Sequence, residues 1–387
     1  MSKFSIKKIY IFALCLYLVC LPLNAIKLGN FGSALKIVAA FPIVLGIMSG
    51  YIKQNSVLRS QLLFTLFAAL SFVWSFSFDA SLNRVISYFE LLALLYSCAC
   101  FSYTANEIRI IKMALVWSSR ITAIVMLLFA GYVEERLWLT GVLNEDPNYI
   151  CAYFSFGVVF AIQRIISDES LWRKVVCIIE LLSYMYIILS TGSRGGLFSV
   201  GISILSYILI SFGKGNGRRF IGILVSGIII LLGFNYLMDI LPYALRMRFT
   251  LNTILADGGS GRTEIWLNGL DLYAKSSPFR WLCGYGTATT RLLFGYYNYS
   301  QVNVMHNMFL ETLLELGVIG LGLYSTAIFK FTKWSLKIED KFSFSIIICM
   351  IMMSLTVSIY TFKPYFNIMG FIIVCNCSNI DDLIENH

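Results

Sequence analysis

The chain has 387 residues, of which 58% are hydrophobic and 13% are charged. Soluble domains carry about 25% charged residues, so this composition excludes an ordinary soluble globular protein and indicates a chain in a lipid bilayer. The net charge of +9 does not indicate a nucleic-acid partner, because most lysines and arginines lie in short loops between apolar runs, where they act as topology signals.

The apolar runs predict an all-α integral membrane protein with about twelve transmembrane helices, since most runs reach the ~20 residues that cross about 30 Å of hydrocarbon. The predicted spans are residues 9–26, 33–51, 60–77, 84–103, 110–131, 148–166, 174–190, 195–212, 220–238, 307–329, 342–360 and 365–378. The first run has no small-residue cleavage site after it, so no cleavable signal peptide is expected.

Charge in the loops predicts the orientation. With the amino terminus in the cytoplasm, the inner connections collect most lysines and arginines and the short outer ones hold few, which places both termini in the cytoplasm. The chain then divides into membrane helices over residues 1–238 (about nine spans), a large extracytoplasmic loop over 239–306, and membrane helices with a cytoplasmic tail over 307–387.

Charged side chains within predicted spans should face a partner or a cavity, because charges in lipid are costly. Glu90 and Arg120 lie in consecutive spans joined by a short link. These spans are expected to be antiparallel neighbours, so we predict a Glu90–Arg120 ion pair, structural or lining a substrate path. Glu180 has no obvious partner in the sequence.

Arg194 stands at the start of the eighth span with Gly192, Gly195 and Gly196 around it. An arginine at a helix end is often an interfacial anchor. A guanidinium in a hollow lined by glycine also suits an anionic ligand. Both interpretations stay open on these residues alone.

The tenth span begins with a polar stripe. Asn307, Glu311 and Glu315 share one helix face at spacing i, i+4, i+8, and two carboxylates on one face should point to the protein interior. His306 precedes this stripe, and His387 is the only other histidine. His306 is therefore either the one imidazole base near neutral pH or an interfacial histidine held by a hydrogen bond.

Several stretches, in this order, resemble the O-antigen ligase and polymerase family of bacterial envelopes. They are GVLNEDPNYICAYF, LSTGSRGGLFSV, GGSGRTEIWLNGL, SSPFRWLCGYG and HNMFLETLLELGVIGL, and they cover roughly residues 148–325. The resemblance implies a GT-C-like, lipid-dependent glycosyltransferase of the bacterial inner membrane with its active site on the extracytoplasmic face. It would take a glycan from undecaprenyl pyrophosphate.

The acceptor separates two functions within this family. A polymerase passes the glycan to the next lipid-linked repeat unit, and a chain-length regulator can assist it. A ligase passes the glycan to lipid A core. The DPN, GSGRTEIW and LCGYG stretches favour a polymerase, with the ligase as the alternative.

The resemblance implies roles for particular residues. It assigns pyrophosphate binding to Arg194 and Arg262, the catalytic base to His306, and supporting roles to Asn307, Glu311, Glu315 and Asn148. Two arginines suit the charge that develops on a leaving pyrophosphate, and a neutral imidazole suits activation of a sugar hydroxyl. We expect a single displacement that inverts the anomeric centre.

No cofactor and no metal ion are expected. The acidic residues of the predicted outer loop are scattered rather than paired, and the ten cysteines lie mostly inside apolar runs, which argues against a zinc site. A transporter or flippase with twelve spans is the rival from another class. It would need polar groups near the midplane, whereas Arg194, Arg262 and His306 are expected near one membrane face.

Overall fold

A computed structural model describes residues 3–29, 32–141, 145–211, 236, 238–257, 261–338, 340–359 and 361–378. The described chain is mostly helical. In chain order the helices are α1 Lys3–Val19, α2 Leu35–Met48, α3 Ser56–Leu70, α4 Phe78–Cys98, α5 Ala105–Phe129, α6 Pro147–Ser167, α7 Leu171–Ser190, α8 Arg194–Ser211, α9 Tyr243–Arg248, α10 Leu251–Ala256, α11 Arg262–Ala274, α12 Pro278–Cys283, α13 Thr290–Tyr296, α14 Met308–Lys337, α15 Lys341–Ser354 and α16 Lys363–Asn376.

The long helices coincide with eleven of the predicted spans, and the predicted span 220–238 lies almost entirely outside the described residues. Five helical segments are long and apolar enough to cross a membrane: Ser56–Trp74, Ala105–Phe129, Pro147–Ser167, Arg194–Ser211 and Met308–Lys337. The chain is therefore a helical membrane protein with several spans. The number of twelve and the limits of the large loop stay predictions.

Helix α6 lies in the middle of the bundle and packs against α5, α7, α8 and α15. Apolar and small residues cover most of its circumference, as expected of a helix buried on all sides. Gly157 allows the closest approach, because a Cβ at this position would lie 2.6 Å from the ring of Tyr184 in α7. The middle of α6 is thereby held close to α7.

The predicted Glu90–Arg120 ion pair is wrong. Arg120 donates from Nε to Glu180 Oε1 at 2.7 Å, and Glu90 instead forms an ion pair with Lys36, with 2.9 Å between Lys36 Nζ and Glu90 Oε2. The physical reason is the packing order: α4 packs mainly on α2, α3 and α16, whereas α5 packs mainly on α1 and α6. The consecutive helices α4 and α5 are therefore not main packing partners, and Glu180, which has no obvious partner in the sequence, pairs with Arg120.

Two features interrupt the helices near the candidate site. A hairpin of β1 Ala130–Val133 and β2 Arg136–Leu139 follows α5, in antiparallel register with Ala130 opposite Leu139; the sequence did not predict it. Helix α14 is broken at Gly317, whose φ of 66° and ψ of −169° are non-helical.

The break in α14 brings its first segment against α12. A Cβ on Gly317 would lie 2.3 Å from the backbone of Leu282, and a Cβ on Gly284 would lie 2.3 Å from the backbone of Glu315. Backbone hydrogen bonds join the two segments, from Tyr285 N to Leu314 O at 3.2 Å and from Gly286 N to Glu315 O at 2.8 Å. The segment that follows the candidate base is thus fixed by close backbone contact.

Candidate active site

The candidate site lies at one end of the helix bundle. The beginnings of α6, α8, α11 and α14 meet there, together with strand β2 and the end of α9. Each of these helix starts carries one of the residues predicted from the sequence. The structure therefore brings together side chains that are far apart in the chain.

His306 lies two residues before α14, next to the N-cap residue Asn307, in a left-handed backbone conformation with a φ of 49°. This conformation is uncommon for a residue with a side chain and must be held by its surroundings. On one side Trp266 Nε1 donates to Met305 O at 2.8 Å, and on the other the Asn307 side chain caps the helix by accepting from Phe309 N at 3.0 Å. Asn307 therefore supports His306 through the backbone.

The imidazole of His306 is suited to accept a proton. Burial lowers the pKa of His306, the Arg262 cation lowers it further, and Asp146 partly raises it. Its Nδ1 is buried and has no hydrogen-bond partner among the described residues. A neutral ring with an unoccupied nitrogen matches the requirement for a general base.

Arg262 is the first residue of α11, directly after Gly261 in a left-handed conformation. Burial lowers the pKa of the Arg262 guanidinium, Asp146 partly offsets this effect, and Arg136 and Arg194 lie near enough to influence it. The guanidinium makes no hydrogen bond or ion pair with another described residue. Its donors are therefore available to a ligand.

Arg194 is the first residue of α8 and is already held by the protein. Its Nε donates to Arg248 O at 2.5 Å, and its Nη1 donates to the Asp257 carboxylate at 2.9 and 3.0 Å. Asp257 therefore occupies donors that the predicted role gives to a pyrophosphate. An anionic ligand at Arg194 would have to share or replace this carboxylate.

Two further arginines lie beside Arg194. Arg136 of β2 donates from Nε to Thr191 O at 2.7 Å, and Arg248 donates from Nε to Gly192 O at 3.4 Å. Gly192 has a φ of 63°, and a Cβ there would lie 3.2 Å from Arg248 Nε and 3.3 Å from Arg136 Cγ. The glycine thus leaves room for both guanidinium groups next to the start of α8.

Asp146 lies among these cations as the N-cap residue of α6. Its Oδ1 accepts from Asn148 N at 2.7 Å and from Asn148 Nδ2 at 2.8 Å, while Asn148 Oδ1 accepts from Arg136 Nη2 at 3.5 Å. Asp146 is also close enough to act electrostatically on His306 and Arg262. Asn148, predicted as a supporting residue, therefore links this carboxylate to Arg136.

Glu311 and Glu315 are buried, with about 1% of each residue exposed, as predicted for a stripe that faces the interior. Glu311 accepts a hydrogen bond from Ser358, and Glu315 accepts from Ala288 N and Thr290 Oγ1, each at 2.8 Å. Among the described residues neither makes a hydrogen bond to His306 or to Arg262. Their contacts fix α14 to its neighbours, and Glu311 also bonds the backbone of Met305, the residue before His306.

Sequence reasoning missed four charged residues of this site: Arg136, Asp146, Arg248 and Asp257. Asp146 lies in the DPN stretch, where an aspartate before a proline indicates a helix start. Arg136 and Arg248 were counted only as loop charges, since no local pattern shows that their loops meet the start of α8. In the described part of the chain no three His, Cys, Asp or Glu side chains are grouped to hold a metal ion.

Comparison with known proteins agrees with the resemblance found in the sequence. Residues 179–325 match a protein-family model described as O-antigen ligase (Wzy_C). The exopolysaccharide production protein ExoQ of Rhizobium meliloti (strain 1021) is 26% identical over 282 residues, which are 67% of this chain and 61% of ExoQ. The predicted resemblance to the O-antigen ligase and polymerase family is confirmed.

A likeness also exists to a solved chain from work entitled "Structural coordination of polymerization and crosslinking by a peptidoglycan synthase complex". It covers 82% of this chain and 96% of that chain, with 14% identity and a TM-score of 0.48. At this level it carries no argument about function. The family match includes Arg194, Arg262 and His306, whereas Arg136 and Asp146 lie before it.

Proposed function

From the similarity of this chain to the O-antigen ligase and polymerase family, we propose that it is a polymerase of surface polysaccharide repeat units. In this proposal it transfers a growing glycan from undecaprenyl pyrophosphate to a sugar hydroxyl of the next lipid-linked repeat unit. The enzyme lies in the bacterial inner membrane, with both termini in the cytoplasm and the site on the extracytoplasmic face. It needs no metal ion, and a chain-length regulator is a possible partner.

One observation carries the proposal: the buried His306 imidazole lies near the Arg262 guanidinium, and neither His306 Nδ1 nor that guanidinium has a hydrogen-bond partner among the described residues. The first can accept a proton from a hydroxyl, and the second can bind an anion. A glycosyl transfer from a pyrophosphate needs both at once, since one oxygen must lose a proton while another gains negative charge.

The reaction follows from these positions. The pyrophosphate of the donor binds at Arg262. Arg194 binds it as well once the Asp257 carboxylate releases or shares the Nη1 donor of Arg194. The acceptor hydroxyl donates its proton to His306 while its oxygen forms a bond to the anomeric carbon. The bond from that carbon to the pyrophosphate oxygen breaks, and the electron pair leaves on the pyrophosphate. Attack opposite the leaving group inverts the anomeric centre.

Arg136 and Arg248 enlarge the positive region around the leaving group. Arginines that are already positioned stabilise developing charge without reorganisation of solvent. Asp146 offsets part of the repulsion among these cations and partly raises the pKa of His306, which burial and Arg262 lower. The site thus combines a binding region for an anion with a neutral base, which a transporter with polar groups at the midplane would not need.

A ligase is the second candidate, because the matching family model is described as O-antigen ligase. The polymerase is favoured by the relative named for exopolysaccharide production and by the DPN, GSGRTEIW and LCGYG stretches. The two functions share the donor chemistry and differ in the acceptor.

The test is deletion of the gene in its host and rescue with wild type, His306→Ala, Arg194→Ala or Arg262→Ala, followed by gel analysis of the surface polysaccharide. Lys337→Ala, an exposed lysine at the end of α14, is the matched control. Loss of the long-chain ladder with one repeat unit still on its anchor indicates a polymerase. Loss of all attachment, with long chains on the lipid carrier, indicates a ligase. Full rescue by His306→Ala at normal protein level would refute the catalytic role and favour a transporter.

A further inference from the structure

A second group of charged residues lies on the other side of the start of α6. It consists of Lys27, Lys36 and Lys363 together with Glu90 and Glu145, and we call it the lysine cluster. These residues come from the loop after α1, from α2, α4 and α16, and from the turn before α6. The Lys363 ammonium is within electrostatic range of all four of the others.

Lys363 is the unusual member of the lysine cluster. It is the first residue of α16, and only 5% of it is exposed. Its ammonium makes no hydrogen bond or ion pair with another described residue. Lysine is almost never buried without a partner, because an ammonium removed from water is strongly destabilised.

The other charges of the lysine cluster already have partners. Lys36 pairs with Glu90 at 2.9 Å. Glu145 accepts from Asn24 Nδ2 at 2.8 Å and from Tyr153 OH at 3.2 Å. Three lysines and two glutamates give the lysine cluster one excess positive charge, and among the described residues only Lys36 forms an ion pair.

The three lysines of the lysine cluster differ in exposure. Lys27 is exposed and donates to Asn24 O at 2.7 Å. The side chain of Lys36 is 27% exposed, and Lys363 lies deepest. Exposure therefore decreases from Lys27 through Lys36 to Lys363.

The position of the lysine cluster relates it to the candidate active site. Glu145 belongs to the lysine cluster and Asp146, the next residue, lies among Arg136, Arg262 and His306. The turn before α6 thus separates two positive regions at the same end of the bundle. One consists of arginines around a base and the other of lysines without a base.

We propose that the lysine cluster binds the phosphate-bearing headgroup of the acceptor lipid. This inference rests on the proposed function, in which donor and acceptor each carry a pyrophosphate. Only the pyrophosphate of the donor becomes a leaving group, and planar arginines suit it because they form paired hydrogen bonds. The pyrophosphate of the acceptor keeps its bonds during the reaction, so compact lysine charges that attract and hold it are sufficient.

The experiment counts lipid molecules bound to the purified full chain by native mass spectrometry, with undecaprenyl pyrophosphate as the probe. Undecaprenol, phosphatidylglycerol and inorganic pyrophosphate are tested as competitors. The variants are Lys363→Gln, Lys363→Arg, Lys27→Gln, Arg262→Gln and the control Lys337→Gln. Lys27→Gln tests the same lysine cluster at an exposed position, where the substitution is not expected to disturb folding as a change at the buried Lys363 could.

We expect two molecules of undecaprenyl pyrophosphate on the wild type, on Lys363→Arg and on Lys337→Gln. Lys363→Gln should weaken binding of the second lipid molecule by about ten- to hundredfold, as expected for loss of a hydrogen bond to a charged group. Lys27→Gln should weaken the same binding less. Arg262→Gln should weaken binding of the other lipid molecule, which occupies the donor site. Lys363→Gln and Arg262→Gln then each retain one tight site.

Three results would overturn the inference. They are a single bound molecule on the wild type, two equally tight molecules on Lys363→Gln, and displacement of the second molecule by phosphatidylglycerol or inorganic pyrophosphate at equal concentration. Glycan transfer is measured separately on the same preparations. A wild type that binds two molecules but transfers no glycan would refute the proposed function and leave the second lipid site standing.

Discussion

The break in α14 gives the sharpest test of the structure. We expect Gly317→Ala to destabilise the protein, because alanine would have to adopt a φ of 66° and a ψ of −169°. This region is almost restricted to glycine and costs about 1–3 kcal/mol for other residues. The added Cβ would also lie 2.3 Å from the backbone of Leu282, and such overpacking costs another ~1–3 kcal/mol.

Together the two effects predict a loss of roughly 2–6 kcal/mol in the free energy of unfolding. The measurement is denaturation in mixed detergent micelles, followed by circular dichroism. Gly322→Ala is the matched control on the same helix, since a Cβ at Gly322 meets nothing within 4 Å. It should be neutral or stabilising by up to about 1 kcal/mol. Equal stability of the two variants would refute the close contact between α12 and α14.

The same substitution should reduce glycan transfer. The segment between His306 and Gly317 carries Glu311 and Glu315, whose hydrogen bonds hold the start of α14. Movement of α12 away from this segment would displace His306 from the donor. Transfer assayed on the folded fraction should therefore fall in Gly317→Ala and stay at the wild-type level in Gly322→Ala.

Three further predictions concern charge. Transfer by the wild type should decline as pH falls through the pKa of His306, which burial holds below its ordinary value. In Asp146→Asn this decline should move to lower pH, because Asp146 raises the pKa of His306. An unmoved pH profile of kcat/KM would contradict this electrostatic effect. Arg262→Lys should retain more donor binding than Arg262→Gln but less than wild type, since lysine lacks the paired donors; equal KM values for the donor in all three proteins would contradict the role. Glu180→Gln should lower the melting temperature, because it leaves the partly buried Arg120 cation without its carboxylate. The double variant Glu180→Gln/Arg120→Gln should recover part of this loss. Additive losses would contradict the ion pair.

Much of the site could be predicted from the sequence because its signals are local. His306 is one of only two histidines, and the stretches that carry Arg194 and Arg262 have a recognisable order. The stripe of Asn307, Glu311 and Glu315 follows from helix periodicity alone. The role of Arg194 was less visible, because its ion pair with Asp257 joins residues 63 positions apart.

The sequence by itself determined that this is a helical membrane protein and where most helices lie, because hydropathy and helix capping act within a few residues. Only the tertiary structure decided which charges meet. It paired Arg120 with Glu180 rather than Glu90, placed Asp146 among the arginines, and left the largely buried Lys363 with no ion pair to another described residue. These outcomes depend on the order in which helices pack and on where separate loops meet. Hydropathy does not carry that information, since a helix that faces several neighbours can be equally apolar towards each of them.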